Sequence, residues 1–156
     1  MKWLLFDFKT ANEPWFEQAE AIYKTKINHF VKFDTAHLKS NKVSRDQAAI
    51  KIKFEEEKIL EKLTSDDYII LFDSKGKVTD SLAFSKLVEK AEQSGKKRAV
   101  LIIGGAYGIS DVIKSKAHQK ISLSEMTMNH LVAEVVVLEQ LYRAFTILNR
   151  IPYHNI

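Results

Sequence analysis

The residues best suited to chemistry lie in the second half of the chain. A glycine-rich turn at residues 103–110 holds three of the five glycines. Glycine is used where a backbone turns sharply or lets a ligand approach closely. The five histidines show no metal-site spacing and the chain has no cysteine, so we predict no metal site. The turn is the first candidate for ligand binding, although tight packing alone would also select glycine.

Polar side chains near the C-terminus form a second candidate group. Glu139 and Arg143 stand four residues apart, the spacing of an intrahelical ion pair. Alternatively, the planar guanidinium of Arg143 faces a phosphate or the polar edge of a ligand. His130 opens the same predicted helix, and Tyr153 and His154 follow it. A chemical role and a purely structural role both stay open for these residues.

The elements that position these residues alternate along the chain. Strands are predicted at residues 3–8, 30–38, 67–72, 99–103 and 120–123, and residues 73–77 are predicted to form a turn. A helix follows each strand: one ends near residue 26, one begins with the capping-box spacing of residues 44–47, one ends near residue 94, and two span residues 110–117 and 130–149. This order predicts an α/β fold with a mainly parallel sheet flanked by helices, in a single domain over residues 1–156.

Ligands of such sheets bind at the carboxyl ends of the strands. The predicted loops there are residues 72–77, 104–110 and 123–129. Together they predict one pocket, with backbone donors and acceptors and with Leu123, Met126 and Met128 around a flat ring. From the spacing alone, it is equally consistent that the glycines only form tight turns and bind no ligand.

Composition sets broad limits on the function. The chain has 46% hydrophobic and 28% charged residues, as ordinary globular proteins do. Its net charge of +4 permits a nucleic-acid partner without requiring one. The lack of cysteine agrees with a reducing cytoplasm. The apolar residues 131–148 include Glu134, Glu139 and Arg143, so we predict a buried helix and no membrane anchor.

Several ordered segments of the chain resemble the RlmH family, bacterial large-subunit ribosomal RNA methyltransferases of the knotted SPOUT class. The matching segments are residues 101–108, 121–124, 127–130, 139–144 and 152–154. The spacing from Asp73, Gly76 and Lys77 onward is also similar. The N-terminal half matches mainly in the order of its elements.

The resemblance implies a SPOUT-type α/β fold with a C-terminal trefoil knot and S-adenosylmethionine as methyl donor. The implied cofactor-binding residues are Phe72, Gly104, Gly105, Leu123, Ser124, Glu125, Met126, Thr127 and Met128. They fall in the same three loops that sheet geometry selects. This agreement favours the ligand-binding interpretation of the glycine turn.

The resemblance also implies methylation of N3 of a pseudouridine in helix 69 of the large-subunit RNA, on the assembled ribosome, by a homodimer. The implied catalytic residues are His130, Glu139, Arg143, Tyr153 and His154. Arg143 would position the RNA or the uracil edge, and Tyr153 or His154 would assist proton loss or orient the base. The apolar final helix would pack across the two-fold axis, so that the C-terminal residues of one chain complete the partner's pocket.

Three positions depart from the family pattern. Ala106-Tyr107 stands where members commonly have Pro-Glu, Leu131 where they have proline, and Glu134 where they have a basic residue. The last change replaces a charge that we expect on the RNA side with its opposite. Two alternative functions follow: a SPOUT methyltransferase with another RNA target, and a catalytically silent, dimeric ribosome-binding protein.

Overall fold

The protein is built around one five-stranded sheet, and the computed structural model describes residues 1–8 and 11–155. The strands are β1 Lys2–Asp7, β2 Lys32–His37, β3 Asp67–Val78, β4 Arg98–Ile103 and β5 Gln119–Ser122. The helices are α1 Pro14–Ile27, α2 Ala48–Lys62, α3 Ser81–Glu92, α4 Asp111–Lys116 and α5 His130–Leu148, and a short 3₁₀ helix, Arg45–Gln47, precedes α2.

The five strands are all parallel, in the order β2-β1-β4-β3-β5. The predicted α/β fold with a mainly parallel sheet is therefore confirmed. Because parallel strands end at the same edge, the loops after β4, β3 and β5 lie side by side there. This arrangement brings three separate segments of the chain to one place.

Helices cover both faces of the sheet. In β1, Trp3 and Leu5 pack into a core shared with α1, α3 and α5, whereas Leu4 and Phe6 pack into a second core with Ile59 of α2 and residues of α4. Successive side chains of a strand point to opposite faces, so one apolar strand supplies both cores. The result is a sheet buried on both sides, as parallel sheets generally are.

Helix α5 forms one wall of the larger core. The Asn129 side chain accepts a hydrogen bond from the backbone N–H of Leu131 at 2.9 Å and so caps the helix. Its buried residues, including Val137, Leu138 and Leu141, pack against α1 and α3. Within the described residues, no helix is both long enough and apolar enough to cross a membrane.

Two local predictions are wrong. Residues 44–47 form no capping box, because the Ser44 hydroxyl donates to the Asp46 carboxylate and accepts no backbone N–H, and the first turn is 3₁₀. Residues 73–77 are not a simple turn, because β3 continues to Val78 after an irregularity in which Phe72 and Lys77 both pair with Ile121. A Cβ on Gly76 would lie 2.7 Å from the Ile121 backbone, so only glycine allows this close approach.

Candidate functional site

A cleft of about 470 Å³ lies at the carboxyl edge of the sheet, between the loops that follow β3, β4 and β5. Small-molecule sites have volumes of about 300–1,000 Å³. The structure brings all nine residues that the resemblance assigns to the cofactor to this cleft: Phe72, Gly104, Gly105, Leu123, Ser124, Glu125, Met126, Thr127 and Met128. Residues that are far apart in the chain thus share one site.

The glycine turn forms one wall of the cleft. The Gly105 carbonyl accepts a hydrogen bond from the N–H of Gly108 at 3.1 Å, and Gly108 has a φ of 98°, which favours glycine. A Cβ on Gly104 would overlap the Ile109 side chain, and one on Gly105 would overlap the Glu55 carboxylate. The shape of this wall therefore depends on the absence of side chains at both positions.

The two residues of the Ala106-Tyr107 pair, which departs from the family pattern, point to different places. Ala106 lines the cleft. The Tyr107 hydroxyl donates to the Val43 carbonyl at 3.5 Å, so this ring packs toward the segment before α2. Within the chain, only the alanine of this pair reaches the cleft, and it leaves the cleft open because its side chain is small.

The loop between β5 and α5 forms the opposite wall. The Ser122 hydroxyl donates to the Ser124 carbonyl at 3.1 Å, and the Ser124 hydroxyl accepts from the N–H of Met126 at 2.9 Å. These local bonds fix the course of the loop. The Met126 side chain is 79% exposed, whereas Leu123 and Met128 are half-buried. The loop thus offers apolar surface on both sides of the cleft opening.

Acidic groups dominate the charge of the cleft. Asp73 and Glu125 line it, and the described residues around it include no lysine or arginine. The Lys114 ammonium, 3.7 Å from the Asp73 carboxylate, offsets part of this charge from outside. Such a lining favours a ligand with cationic groups over a polyphosphate.

Behind His130 lies a buried cluster of titratable side chains that sequence reasoning missed. Asp7 at the end of β1 pairs in register with His37 at the end of β2, and His37 Nδ1 lies 2.5 Å from Asp7 Oδ1. The Glu20 carboxylate is 2.8 Å from His37 Nε2. Glu134 of α5 is fully buried, and His130 Nε2 lies 3.5 Å from Asp7 Oδ2. We call Asp7, Glu20, His37, His130 and Glu134 the buried cluster.

The buried cluster shifts the pKa values of its members in opposite directions. Hydrogen bonds to Asp7 and Glu20 raise the pKa of His37 to about 9, so this ring is an imidazolium at neutral pH. Burial by itself would raise the pKa of Asp7, but the His130 and His37 rings hold it well below its usual range. Burial and the Asp7 carboxylate raise the pKa of Glu134 to about 11.

The position of Glu134 overturns one prediction. We expected this residue to stand on the RNA side of the final helix, but its side chain is 0% exposed and faces Asp7 instead. An acidic side chain buried among apolar helices therefore has a local role in the buried cluster. The sequence shows Asp7 at the end of an apolar strand and His37 at the end of a second strand, but only the parallel register of β1 and β2 pairs them.

The other four predicted catalytic residues gather at the C-terminal end of α5, and we call them the α5 quartet: Glu139, Arg143, Tyr153 and His154. Arg143 donates from Nη2 to Glu139 Oε1 at 2.6 Å, which confirms the predicted ion pair. The Tyr153 hydroxyl donates to the same carboxylate at 3.1 Å, and its ring lies 4.7 Å from the Arg143 guanidinium carbon. His154 Nδ1 lies 3.1 Å from Arg143 Nη1.

The contacts of the quartet restrict what its members do. An arginine only donates hydrogen bonds, so His154 Nδ1 accepts from Arg143 and is unprotonated in this arrangement. Burial and the Glu139 carboxylate raise the pKa of Tyr153, so its hydroxyl is a donor at neutral pH. Glu139 raises the pKa of Arg143 further above its ordinary value. The quartet therefore holds the Arg143 guanidinium in place through contacts with Glu139, Tyr153 and His154.

The α5 quartet lies apart from the cleft of its own chain. Of the five predicted catalytic residues, only His130 lines the cleft. Ala133 is the last residue of α5 that lines the cleft, and Arg143 lies ten positions further along the helix, which corresponds to about 15 Å at 1.5 Å per residue. The structure thus places the predicted site residues in two groups, at opposite ends of α5.

Comparison with known proteins identifies the class to which this sheet and cleft belong. Residues 1–154 match the family described as "Predicted SPOUT methyltransferase". The chain therefore belongs to the SPOUT methyltransferase family.

Curated relatives narrow this assignment. The chain is 49% identical over 156 residues to the ribosomal RNA large subunit methyltransferase H of Bdellovibrio bacteriovorus, with all of both chains covered. It is 38% identical over 142 residues to the protein of that name from Parabacteroides distasonis, with 90% of each chain covered, and 41% identical over 134 residues to that from Flavobacterium psychrophilum, with 85% of each covered. Within the SPOUT class these similarities place it in the RlmH family, so the resemblance found in the sequence is confirmed.

Proposed function

We propose that this chain uses S-adenosylmethionine to methylate N3 of a pseudouridine in helix 69 of the large-subunit ribosomal RNA. One observation carries the proposal: the three loops that the resemblance assigns to the cofactor form a single cleft, in a chain of the SPOUT family. Relatives aligned over nearly their whole length are named as ribosomal RNA large subunit methyltransferases. We propose further that the chain is one knotted domain and acts on assembled ribosomes in the cytoplasm.

The lining of the cleft fits this cofactor. S-adenosylmethionine combines a flat adenine with a cationic sulfonium and an ammonium group. Leu123 and Met128 offer apolar surface for a flat ring, and Asp73 and Glu125 offer negative charge for the two cations. Gly104 and Gly105 leave the opposite wall without side chains, so the backbone is accessible there. When bound, the cofactor supplies an electrophilic methyl group.

Proton loss from the substrate needs an acceptor or an orienting contact. The N3 atom of pseudouridine is an imide nitrogen that carries a proton, so it attacks only as that proton leaves. Of the two candidates, Tyr153 keeps its proton at neutral pH because its pKa is raised, so it would orient the base. His154 would accept the proton at Nδ1 once the substrate displaces the Arg143 contact from that nitrogen. Arg143, held by Glu139 and Tyr153, presents a planar fork to the uracil edge or to a phosphate.

A second protomer is needed to bring the quartet to a cleft. Methyl transfer requires in-line placement of the reacting atoms, and about 15 Å of helix separates Arg143 of the quartet from Ala133, the last α5 residue in the cleft of its own chain. We therefore propose a two-fold dimer in which each quartet completes the partner's cleft. The outward side of α5 is apolar at Val132, Val136 and Ile147, which suits packing against a second copy.

The test is methyl transfer to ribosomes that lack this modification. The protein is incubated with radiolabelled S-adenosylmethionine and with ribosomes from a strain without the methyl group, and the label is mapped by nuclease digestion and mass spectrometry. We expect one methyl group on the helix 69 pseudouridine. Free large-subunit RNA serves as a control and should accept less label if the assembled ribosome is the substrate.

Other outcomes of this experiment identify the alternatives. Label at a different nucleotide would replace the proposed substrate with another RNA target. Cofactor binding without transfer to any ribosomal or total cellular RNA would instead indicate a catalytically silent protein, and the proposed activity would be wrong.

A further inference from the structure

We propose that Asp7, His130 and Glu134 form a binding site for one divalent transition-metal ion of the zinc type, directly behind the cleft wall. One donor atom from each residue lies within 4.8 Å of the donor atoms of the other two. These donors come from β1 and from the first turns of α5, and no sequence spacing connects residue 7 with residues 130 and 134. This proposal departs from our expectation from the sequence that the chain has no metal site.

The donor atoms are buried and unpaired. Asp7 and Glu134 are both 0% exposed, and neither oxygen of Glu134 has a hydrogen-bond partner among the described residues. Asp7 Oδ2 and His130 Nε2 face each other at 3.5 Å and form no hydrogen bond within the described part of the chain. Buried polar atoms are almost always paired in proteins. Two carboxylates and an imidazole that meet without a hydrogen bond therefore indicate a missing ligand that accepts lone pairs, which is what a cation does.

The distance between two of the donors suits a tetrahedral ion. His130 Nε2 and Asp7 Oδ2 lie 3.5 Å apart, which is long for a hydrogen bond. The edge of a tetrahedron with metal–ligand bonds of about 2.0–2.1 Å is about 3.4 Å long. One imidazole and two carboxylates are ligands that zinc takes in proteins, and three protein ligands leave a fourth position open.

Neighbouring residues complete the site and exclude a competing one. His37 donates to Asp7 Oδ1 from Nδ1 and lies 2.8 Å from Glu20 through Nε2, so both of its nitrogens face carboxylates and neither is free to ligate. The second donor group, Glu20, His37 and Glu134, is therefore occupied by this ion pair. Hydrogen bonds of the His37 kind orient metal-bound carboxylates.

The site is open to an ion from the cleft. Entry is possible because His130 lies on the cleft wall and its side chain is 23% exposed.

The experiment measures metal binding without any activity assay. Tag-free protein is stripped with a chelator, dialysed, and titrated with Zn²⁺ by calorimetry and with Co²⁺ by visible absorption. We expect about one ion per chain, the intense d–d bands of tetrahedral Co²⁺, and a higher melting temperature with Zn²⁺. Absence of these bands and of a Zn²⁺ isotherm would overturn the proposal, leaving Glu134 as a neutral acid hydrogen-bonded to Asp7.

Matched variants test the location of the ion. His130→Asn and Glu134→Gln should each weaken Zn²⁺ binding at least about tenfold. The exposed residues His29 and Glu89 provide the controls His29→Asn and Glu89→Gln, which should bind as the parent does. Glu134→Gln replaces a buried carboxyl with a neutral group of the same shape, so the metal-free variant should melt no lower than the metal-free parent at neutral pH. Unchanged binding in both ligand variants would place the ion elsewhere and refute the site.

Discussion

At the scale of single residues, Gly105 links the sequence pattern to the cleft. The Glu55 carboxylate of α2 occupies the space that a Cβ at this position would need. A side chain there must displace this carboxylate, which accepts from the Ser40 hydroxyl, or the turn that carries Ala106. Gly105 thus lets the cleft wall lie directly against the Glu55 side chain.

Replacing Gly105 should impair cofactor binding. We expect Gly105→Val to weaken S-adenosylmethionine binding about tenfold or more, or by about 1.4 kcal/mol, because the valine side chain narrows the cleft wall and displaces the turn or the Glu55 carboxylate. Calorimetry measures the change. Gly95→Ala is the matched control: Gly95 also lies in a turn, with a φ of 78°, but a Cβ there has no neighbour within 4 Å. Gly95→Ala should lower the free energy of unfolding by about 1 kcal/mol and leave cofactor binding unchanged. If Gly105→Val binds the cofactor as tightly as the parent, the cofactor does not bind in this cleft.

Arg143 offers a second residue-scale prediction. Arg143→Lys keeps the charge but loses the planar fork that Glu139 and Tyr153 support. We expect methyl transfer to fall about 100-fold, since small misplacements of a reacting group have effects of this size. Cofactor affinity should stay within about twofold, since the quartet is remote from the cleft of its own chain. If Arg143→Lys also lost cofactor affinity, the quartet and the cleft would not be separate in function. The control is Arg150→Lys, at an exposed arginine.

At the scale of elements, an ion pair joins the amino ends of β3 and β4. Asp67 and Arg98 are register partners, and the guanidinium donates to the carboxylate from Nε at 2.6 Å and from Nη2 at 2.7 Å. The Asp67 carboxylate also accepts from the N–H of Thr64 at 2.7 Å. Burial by itself would raise the pKa of Asp67, but these partners hold it below its ordinary value of 3.8. The pair therefore stabilises the start of both strands.

The contribution of this pair should depend on pH. Because the pKa of Asp67 is lower in the folded state, its stabilisation is present above pH 3.8 and is lost as the pH falls through the folded-state value. Asp67→Asn should lower the free energy of unfolding by about 2 kcal/mol at pH 7. Urea unfolding between pH 7 and pH 2.5 should show the difference narrowing in acid. Asp66→Asn, at a half-exposed neighbour, should change stability by less than about 0.5 kcal/mol at any pH. A difference for Asp67→Asn that does not vary with pH would mean that the carboxylate charge is not the cause.

At the scale of the whole molecule, the two ends of α5 carry different parts of the proposed site. The cleft lies at the N-terminal end of this helix and the quartet at its C-terminal end. A complete site then needs one end from each of two chains. Neither part should support methyl transfer alone.

Mixing two impaired variants tests this arrangement, at a cofactor concentration well below the dissociation constant of Gly105→Val, where each variant alone transfers little. Gly105→Val has a defective cleft and Arg143→Lys has a defective quartet. After unfolding and refolding together, half of the dimers are mixed, and each mixed dimer has one site with both parts intact. We expect about a quarter of the parental activity to return. No return of activity, with mixed dimers verified by mass spectrometry, would show that each site is built from a single chain.

Much of the fold and the cleft could be predicted from local patterns. The apolar run that ends at Phe72 and the one that ends at Ile103 are buried strands, and Ser110 caps α4 through the N–H of Ile113 at 3.3 Å, as a serine before a helix predicts. Residues 73–77 were predicted wrongly from local patterns. Their composition is typical of a turn, but pairing with Ile121 makes them part of β3. Residues 44–47 failed for a related reason, since a side chain competed with the backbone for the Ser44 hydroxyl.

The sequence by itself determined the alternation of strands and helices and the three loops of the cleft. Each loop directly follows a strand, and hydrophobic periodicity and glycine are local properties of the chain. Only the tertiary structure decided that Asp7, His37, His130 and Glu134 meet, and that Arg143 of the quartet lies about 15 Å along α5 from the cleft. The strand order β2-β1-β4-β3-β5 and the packing of α5 set these distances. Both depend on burying apolar faces contributed by residues far apart in the chain, which no local spacing encodes.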